Sequence, residues 1–193
     1  MENFLKYLKE YLYFLRRYIL LACLIFIFAV FSGYFSAQNS PSQAQLILET
    51  LREMLEPVGE MSAFNQFLFI VLNNGFTLFL VLLLGLIFGI FPFLVLLSNG
   101  TILGVLAHFS KTAFSWQTFF MGTIPHGIIE IPVVILACAI GFKLGKTSFE
   151  RIFKKQGSVK TELNAALNFF LKILLPLLIL AAAIEVFITS QLL

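Results

Sequence analysis

The pattern of apolar and polar positions divides this chain into long uncharged runs separated by short polar stretches. No charged residue occurs over residues 18–48, 61–110 or 112–129. A helix needs about 20 predominantly apolar residues to cross the hydrocarbon of a bilayer, so the second run alone holds two spans. The runs predict an all-α polytopic transmembrane helix bundle, a single membrane domain over residues 1–193 with about five spans.

The first span is expected over residues 18–37, ended by the turn sequence of residues 38–41. Before it, Phe4, Leu8, Tyr11 and Leu15 fall on one helical face of residues 2–17, away from Lys6, Lys9, Arg16 and Arg17. That segment reads either as an interfacial helix on the cytosolic surface or as a plain extension of the first span. The apolar run after Arg17 is longer than a signal-peptide core, so it is expected to stay attached. Over residues 42–60, Ile47, Leu51, Met54, Leu55 and Val58 oppose Glu49, Glu53, Glu56 and Glu60, an amphipathic helix too polar to span.

Residues 65–90 and 93–109 are the second and third spans, an antiparallel hairpin turned at Gly85, Gly89 and Pro92. Gly85 and Gly89 match G-x-x-x-G and are read as permitting close helix packing. The fourth segment, residues 116–142, carries Gly122, Pro125, Gly127 and Pro132, a density of helix breakers that predicts a break, as a half-helix or re-entrant element. Residues 143–160 form a basic loop ahead of a last span over residues 168–190.

Charge sets the expected orientation. Eleven of the 13 Lys and Arg residues lie in the N-terminal segment, the 143–160 loop or at Lys172, leaving Arg52 and Lys111 on the opposite side. The positive-inside rule then puts the N-terminus in the cytosol and the C-terminus and residues 42–60 outside, as expected for a cell's plasma membrane. Lys and Arg of the loop face anionic lipid, and nucleic acid is not expected as a partner. A homo-oligomer and docking of other membrane or extracytoplasmic proteins on the acidic helix or basic loop are compatible with these surfaces.

Composition adds little beyond this: 60% of residues are apolar, 24 are Phe, and all ten acidic residues are Glu. Cys23 and Cys138 lie in apolar runs as packing residues. There is no P-loop, G-x-S-x-G, H-E-x-x-H or metal-type cysteine spacing, so no enzyme is expected. His108 and Lys111 fall near the outer edge, where a surface role is ordinary.

The polar residues inside the spans need a separate explanation, because each ionisable group there costs about 2.5–3.5 kcal/mol on insertion scales. Helix rise places Asn73, Asn99, His126, Glu130 and Glu185 about 12–20 Å from the outer edge, in the middle third of the membrane. His126 and Glu130 are four apart and share a face if the helix is intact. Asn74 adds a further amide. Three readings stay open: interhelical hydrogen bonds that fix packing, an ion or proton site with a bound metal cation, and a catalytic metal site.

The segments Asn73-Asn74-Gly75, Ser98-Asn99-Gly100 with Gly104, Ile124-Pro125-His126-Gly127-Ile128-Ile129-Glu130-Ile131-Pro132, Gly141 with Gly145, and Ile184-Glu185 with Ile188-Thr189 occur in this order among five spans. In that order they resemble the stage II sporulation protein M family, over roughly residues 61–190. The resemblance implies a non-enzymatic membrane scaffold or assembly component. In spore-forming bacteria it implies a part of the engulfment machinery associated with proteins that degrade peptidoglycan. Relatives also occur in organisms that do not sporulate, and nothing in this sequence marks sporulation. The alternative is a transporter or channel handling cations or protons at the His/Glu/Asn cluster.

Overall fold

A computed structural model describes residues 2–110 and 115–189, with side chains from residue 6 onward. The elements are α1 (Glu2–Asn39), α2 (Pro41–Gly59), α3 (Ala63–Gly85), α4 (Ile90–Phe109), α5 (Trp116–Lys154), α6 (Val159–Phe169) and α7 (Leu175–Phe187). A π-helical turn over Phe170–Leu174 joins α6 to α7 as one rod. Among the described residues, five helices are long and apolar enough to cross a membrane: α1, α3, α4, α5 and the α6–α7 rod. α2, with its acidic face, is not among them. Lys111 and the last residues, 190–193, lie outside the described residues.

Local chemistry sets the helix starts. Ser62, Ser115 and Ser158 accept hydrogen bonds from the backbone N–H three residues on, capping α3, α5 and α6. Pro41 opens α2, where its missing N–H has no partner to lose. The π turn sits just before Pro176, whose ring in a regular helix would meet the Lys172 carbonyl.

Successive spans alternate in direction and gather two kinds of end. At the basic end, Tyr11 packs tilted against Phe169 (4.7 Å between centroids), Lys143 Nζ lies 3.4 Å over the Phe14 ring, and Phe88 of the α3–α4 turn meets Phe149 and Phe153. At the opposite, acidic end, α2 is tied to α3 by Gln66 Nε2 donating to the Gly59 carbonyl at 3.2 Å, and Phe67 meets Phe187. α1 is unbroken, so residues 2–17 continue the helix of the first span without a turn between them. Leu15 is fully buried, and Leu8 and Tyr11 pack on the main core. The Phe4 side chain lies outside the described residues.

Glycines bring the helices into backbone contact. On α4, a Cβ at Gly100 would lie 2.6 Å from the Ala29 Cβ and 2.8 Å from the Phe26 carbonyl of α1, and Gly104 faces the Val30 carbonyl. At the α3–α4 turn, a Cβ at Gly85 would lie 2.7 Å from the Gly141 Cα of α5, and Gly145 faces the Gly89 amide. Gly85, Gly89, Gly141 and Gly145 are thus one interlocked seam, which bears out the close-packing reading. Gly89 also has φ 75°, a left-handed conformation that closes the hairpin.

Two expectations are corrected. The fourth segment is not broken: α5 runs continuously for 39 residues through Pro125 and Pro132. Each proline removes one backbone hydrogen bond, to the Met121 and Ile128 carbonyls, whereas a break at membrane depth would strand several polar groups. The basic stretch 143–160 is not a loop but mainly the last turns of α5 and the first of α6. Lys143 is 7% exposed there and pairs with Glu162, a part-buried contact between α5 and α6.

Candidate functional site

Four spans bring polar side chains together between the core and the acidic end. The intact α5 puts His126 and Glu130 on one face, one turn apart, and α7 supplies Glu185 opposite. One ligand atom from each of His126, Glu130 and Glu185 can be chosen so that all three lie within 4.8 Å of one another. All three side chains are half-buried.

Hydrogen bonds organise part of this group. Asn74 Nδ2 of α3 donates to Glu130 Oε1 at 2.9 Å, and Asn73 Nδ2 donates to Asn74 Oδ1 at 3.2 Å. Asn73 itself is exposed on the outside of the bundle and reaches the cluster only through Asn74. Asn99 Nδ2 of α4 turns back to the Val95 carbonyl at 2.8 Å, and the residue lines the same cavity as the cluster without joining it. His126 Nδ1 is buried and has no hydrogen-bond partner among the described residues. A buried nitrogen left unpaired forfeits roughly 1–3 kcal/mol, so a ligand that engages it gains that much.

The cluster opens on space. A cavity of 360 Å³ is bounded by Asn99, His126, Glu130 and Glu185 together with apolar residues of α1, α4 and α5. A second, of 250 Å³, shares His126, Glu185, Gly122 and Leu55 with it and extends past Gln66 and Thr189. Leu55, Val58 and Gly59 of α2 form the wall on the acidic side. Toward the basic end, the interior is closed by fully buried Leu82, Leu96, Val133, Ala137 and Ile140. The cluster therefore lies on the α2 side of this closed core.

An imidazole nitrogen and two carboxylates form a mixed N/O donor set that suits a divalent first-row cation, with open positions for water. Such ligands sit about 2.0–2.2 Å from the ion, so two of them stand at most about 4.4 Å apart. Closing from 4.8 Å is a rotamer-scale adjustment.

Some participants were hidden from sequence reasoning. α2 reads as a separate outer helix, and its role as a wall shows only in three dimensions, although Leu51, Leu55 and Val58 share the face that carries it. Thr189, buried at the end of α7 with its hydroxyl on the Ile184 carbonyl at 3.3 Å, also lines the second cavity. His108, expected at the surface, instead packs edge-on against Tyr34 at 5.4 Å with its Nδ1 buried, because the tight α1–α4 seam folds it inward.

A family model described as Stage II sporulation protein M matches residues 22–190, which holds every residue of the cluster. An uncharacterized protein of Methanocaldococcus jannaschii is 33% identical over 127 residues, covering 63% of this chain and 70% of the relative. No solved structure matches. The match extends over most of the five-span bundle, and the chain belongs to the Stage II sporulation protein M family.

Proposed function

We propose that this membrane protein handles cations, taking up a divalent cation at His126, Glu130 and Glu185 from the side on which α2 lies. The observation that carries the reading is the convergence of three ligand atoms within 4.8 Å beside a cavity that α2 helps to line, one of the three residues having a buried nitrogen with no partner among the described residues. Ionisable groups on three-dimensionally adjacent spans are retained at such cost when they serve a pathway or a bound ion. Glu49, Glu53, Glu56 and Glu60 of and beside α2 add a negative field at the entrance, which raises the local cation concentration. The reading is non-enzymatic. The basic end faces the cytosol across a prokaryotic plasma membrane, as the distribution of Lys and Arg supports, and α2 is extracytoplasmic.

A scaffold or assembly role is the second reading, and the Asn74–Glu130 hydrogen bond favours it, because that bond clamps α3 to α5 without any ion. Proteoliposomes separate the two. Under the cation reading, His126→Ala, Glu130→Gln and Glu185→Gln purify as folded protein and lose uptake of Mn²⁺ added outside. If wild-type protein moves no Mn²⁺, and the variants instead unfold together or fail to associate with their partners, the scaffold reading stands.

A further inference from the structure

A second cavity system lies at the opposite end of the bundle and shares no residue with the cation cluster. It is a vestibule of 630 Å³ between α1 and the α5–α6 junction, within the roughly 300–1,000 Å³ range of small-molecule sites. Its walls carry Arg16, Arg17, Lys143 and Lys146 against Glu10, Glu150 and Glu162. The acids are mostly spoken for: Glu162 pairs with Lys143, and Glu150 lies 3.6 Å from Lys146 and 4.0 Å from Lys154. Arg16 is held over the Tyr13 ring at 3.8 Å, with Nη1 on the Tyr13 carbonyl, which leaves most of its guanidinium N–H groups open. Arg17 makes no ion pair among the described residues. Two guanidiniums thus line the vestibule together with largely neutralised pairs.

The α1 wall also carries aromatic rings, facing Thr147, Gly157 and Ser158. Tyr13 and Phe14 are 68% and 54% exposed, and Tyr18 lines the space beside them. Tyrosines and arginines at one level of a span are the ordinary furniture of the headgroup region. Below Arg17, the same face of α1 continues as Leu21, Leu24 and Phe28, all exposed apolar side chains that descend into the span. A soluble anion needs only the upper part of this surface. A molecule with a phosphate and acyl chains fits all of it.

We propose that the vestibule binds the phosphate-bearing headgroup of an anionic phospholipid, with Arg16 and Arg17 on the phosphate and the acyl chains lying along Leu21, Leu24 and Phe28 of α1. Guanidinium forks match phosphate oxygens in pairs, which a diffuse lysine field does not. The site faces the leaflet toward which eleven of the 13 basic residues are gathered, the one richer in anionic lipid.

The test uses the full chain in detergent stripped of phospholipid, with retained lipid counted by native mass spectrometry and thermal stabilisation followed in parallel. The probes are phosphatidylglycerol, phosphatidylcholine and inorganic phosphate. Arg16→Gln/Arg17→Gln removes two exposed charges and is expected to weaken phosphatidylglycerol retention roughly tenfold or more. Lys6→Gln/Lys9→Gln removes two charges from the same helix outside the vestibule and is expected to change it less than about twofold, and Lys146→Gln gives an intermediate loss. Phosphatidylcholine is expected not to be retained. Equal losses in the two double variants would reduce the effect to diffuse charge and overturn the proposal. So would equal retention of phosphatidylcholine, or stabilisation by inorganic phosphate matching that by phosphatidylglycerol, which would assign the site to a soluble anion.

Discussion

Substituting Gly100 by Ala tests the closeness of the α1–α4 seam with one methyl group. Its Cβ would lie 2.6 Å from the Ala29 Cβ, 2.8 Å from the Phe26 carbonyl oxygen and 3.2 Å from the Val30 amide. Carbon atoms pack best at about 3.5–4.0 Å, so α1 and α4 must separate by about 1 Å along this stretch. The obstacle is backbone on a helix already held by Gly33 against Thr101 and Gly104 against Val30, and no rotamer change relieves it. Overpacking of this kind costs about 1–3 kcal/mol, against the roughly 0.8–1 kcal/mol that Ala gains over Gly in a helix. The net loss is about 0–2 kcal/mol, or an apparent Tm lower by up to about 8 °C. Gly127→Ala is the matched control, because its Cβ would meet only Ile131 and Thr123 side chains at 3.7 and 3.8 Å, ordinary contact distances. That variant should hold or raise the Tm. Reaction of fully buried Cys138 with a maleimide dye during heating in detergent, at one fixed scan rate, reads both. If Gly100→Ala melts at or above the wild-type temperature while Gly127→Ala melts below it, the seam is not packed as described.

Glu162→Gln leaves the buried Lys143 ammonium with Phe14 alone and should lower stability by about 1–3 kcal/mol, less than a fully buried pair because Glu162 keeps some exposure; the double change Lys143→Met/Glu162→Leu should recover most of it, as thermal scans of wild type and the two variants will show. Pro132→Ala restores the missing N–H in an already continuous α5, so helical circular dichroism should be unchanged and thermal stability should not fall, whereas a re-entrant element would lose its break and misfold. Asn74→Ala removes the donor to Glu130 and should weaken cation binding severalfold without abolishing it, measured by titration with Zn²⁺, while Asn73→Ala should leave affinity within about twofold because Asn73 acts only through Asn74.

The span count was open to reading because long uncharged runs leave a chain few alternatives in a bilayer, and the direction of each span follows from their number. The depth of His126, Glu130 and Glu185 was equally open, since helix rise converts sequence position into height. Their convergence was not, because height says nothing about which face of a helix meets which neighbour. Asn73 and Asn74 show this: adjacent in sequence and level in the membrane, one faces out and the other reaches Glu130. The prolines of α5 misled for a different reason, since local propensity favours a break whereas the missing solvent penalises one more strongly. Lys143 was assigned to a loop because charge counted for more than the adjoining Gly141 and Gly145, whose seam with α3 carries the helix onward past it.

The most direct measurement of the central claim is equilibrium binding of Zn²⁺ to the purified chain, by calorimetry with metal content checked by mass spectrometry, for wild type, His126→Ala and Glu185→Gln. Saturation at about one ion per chain in the wild type, with the ion lost from both variants while each keeps its thermal transition, is the predicted result. Absence of binding in the wild type, or binding indifferent to both substitutions, would contradict the cation site.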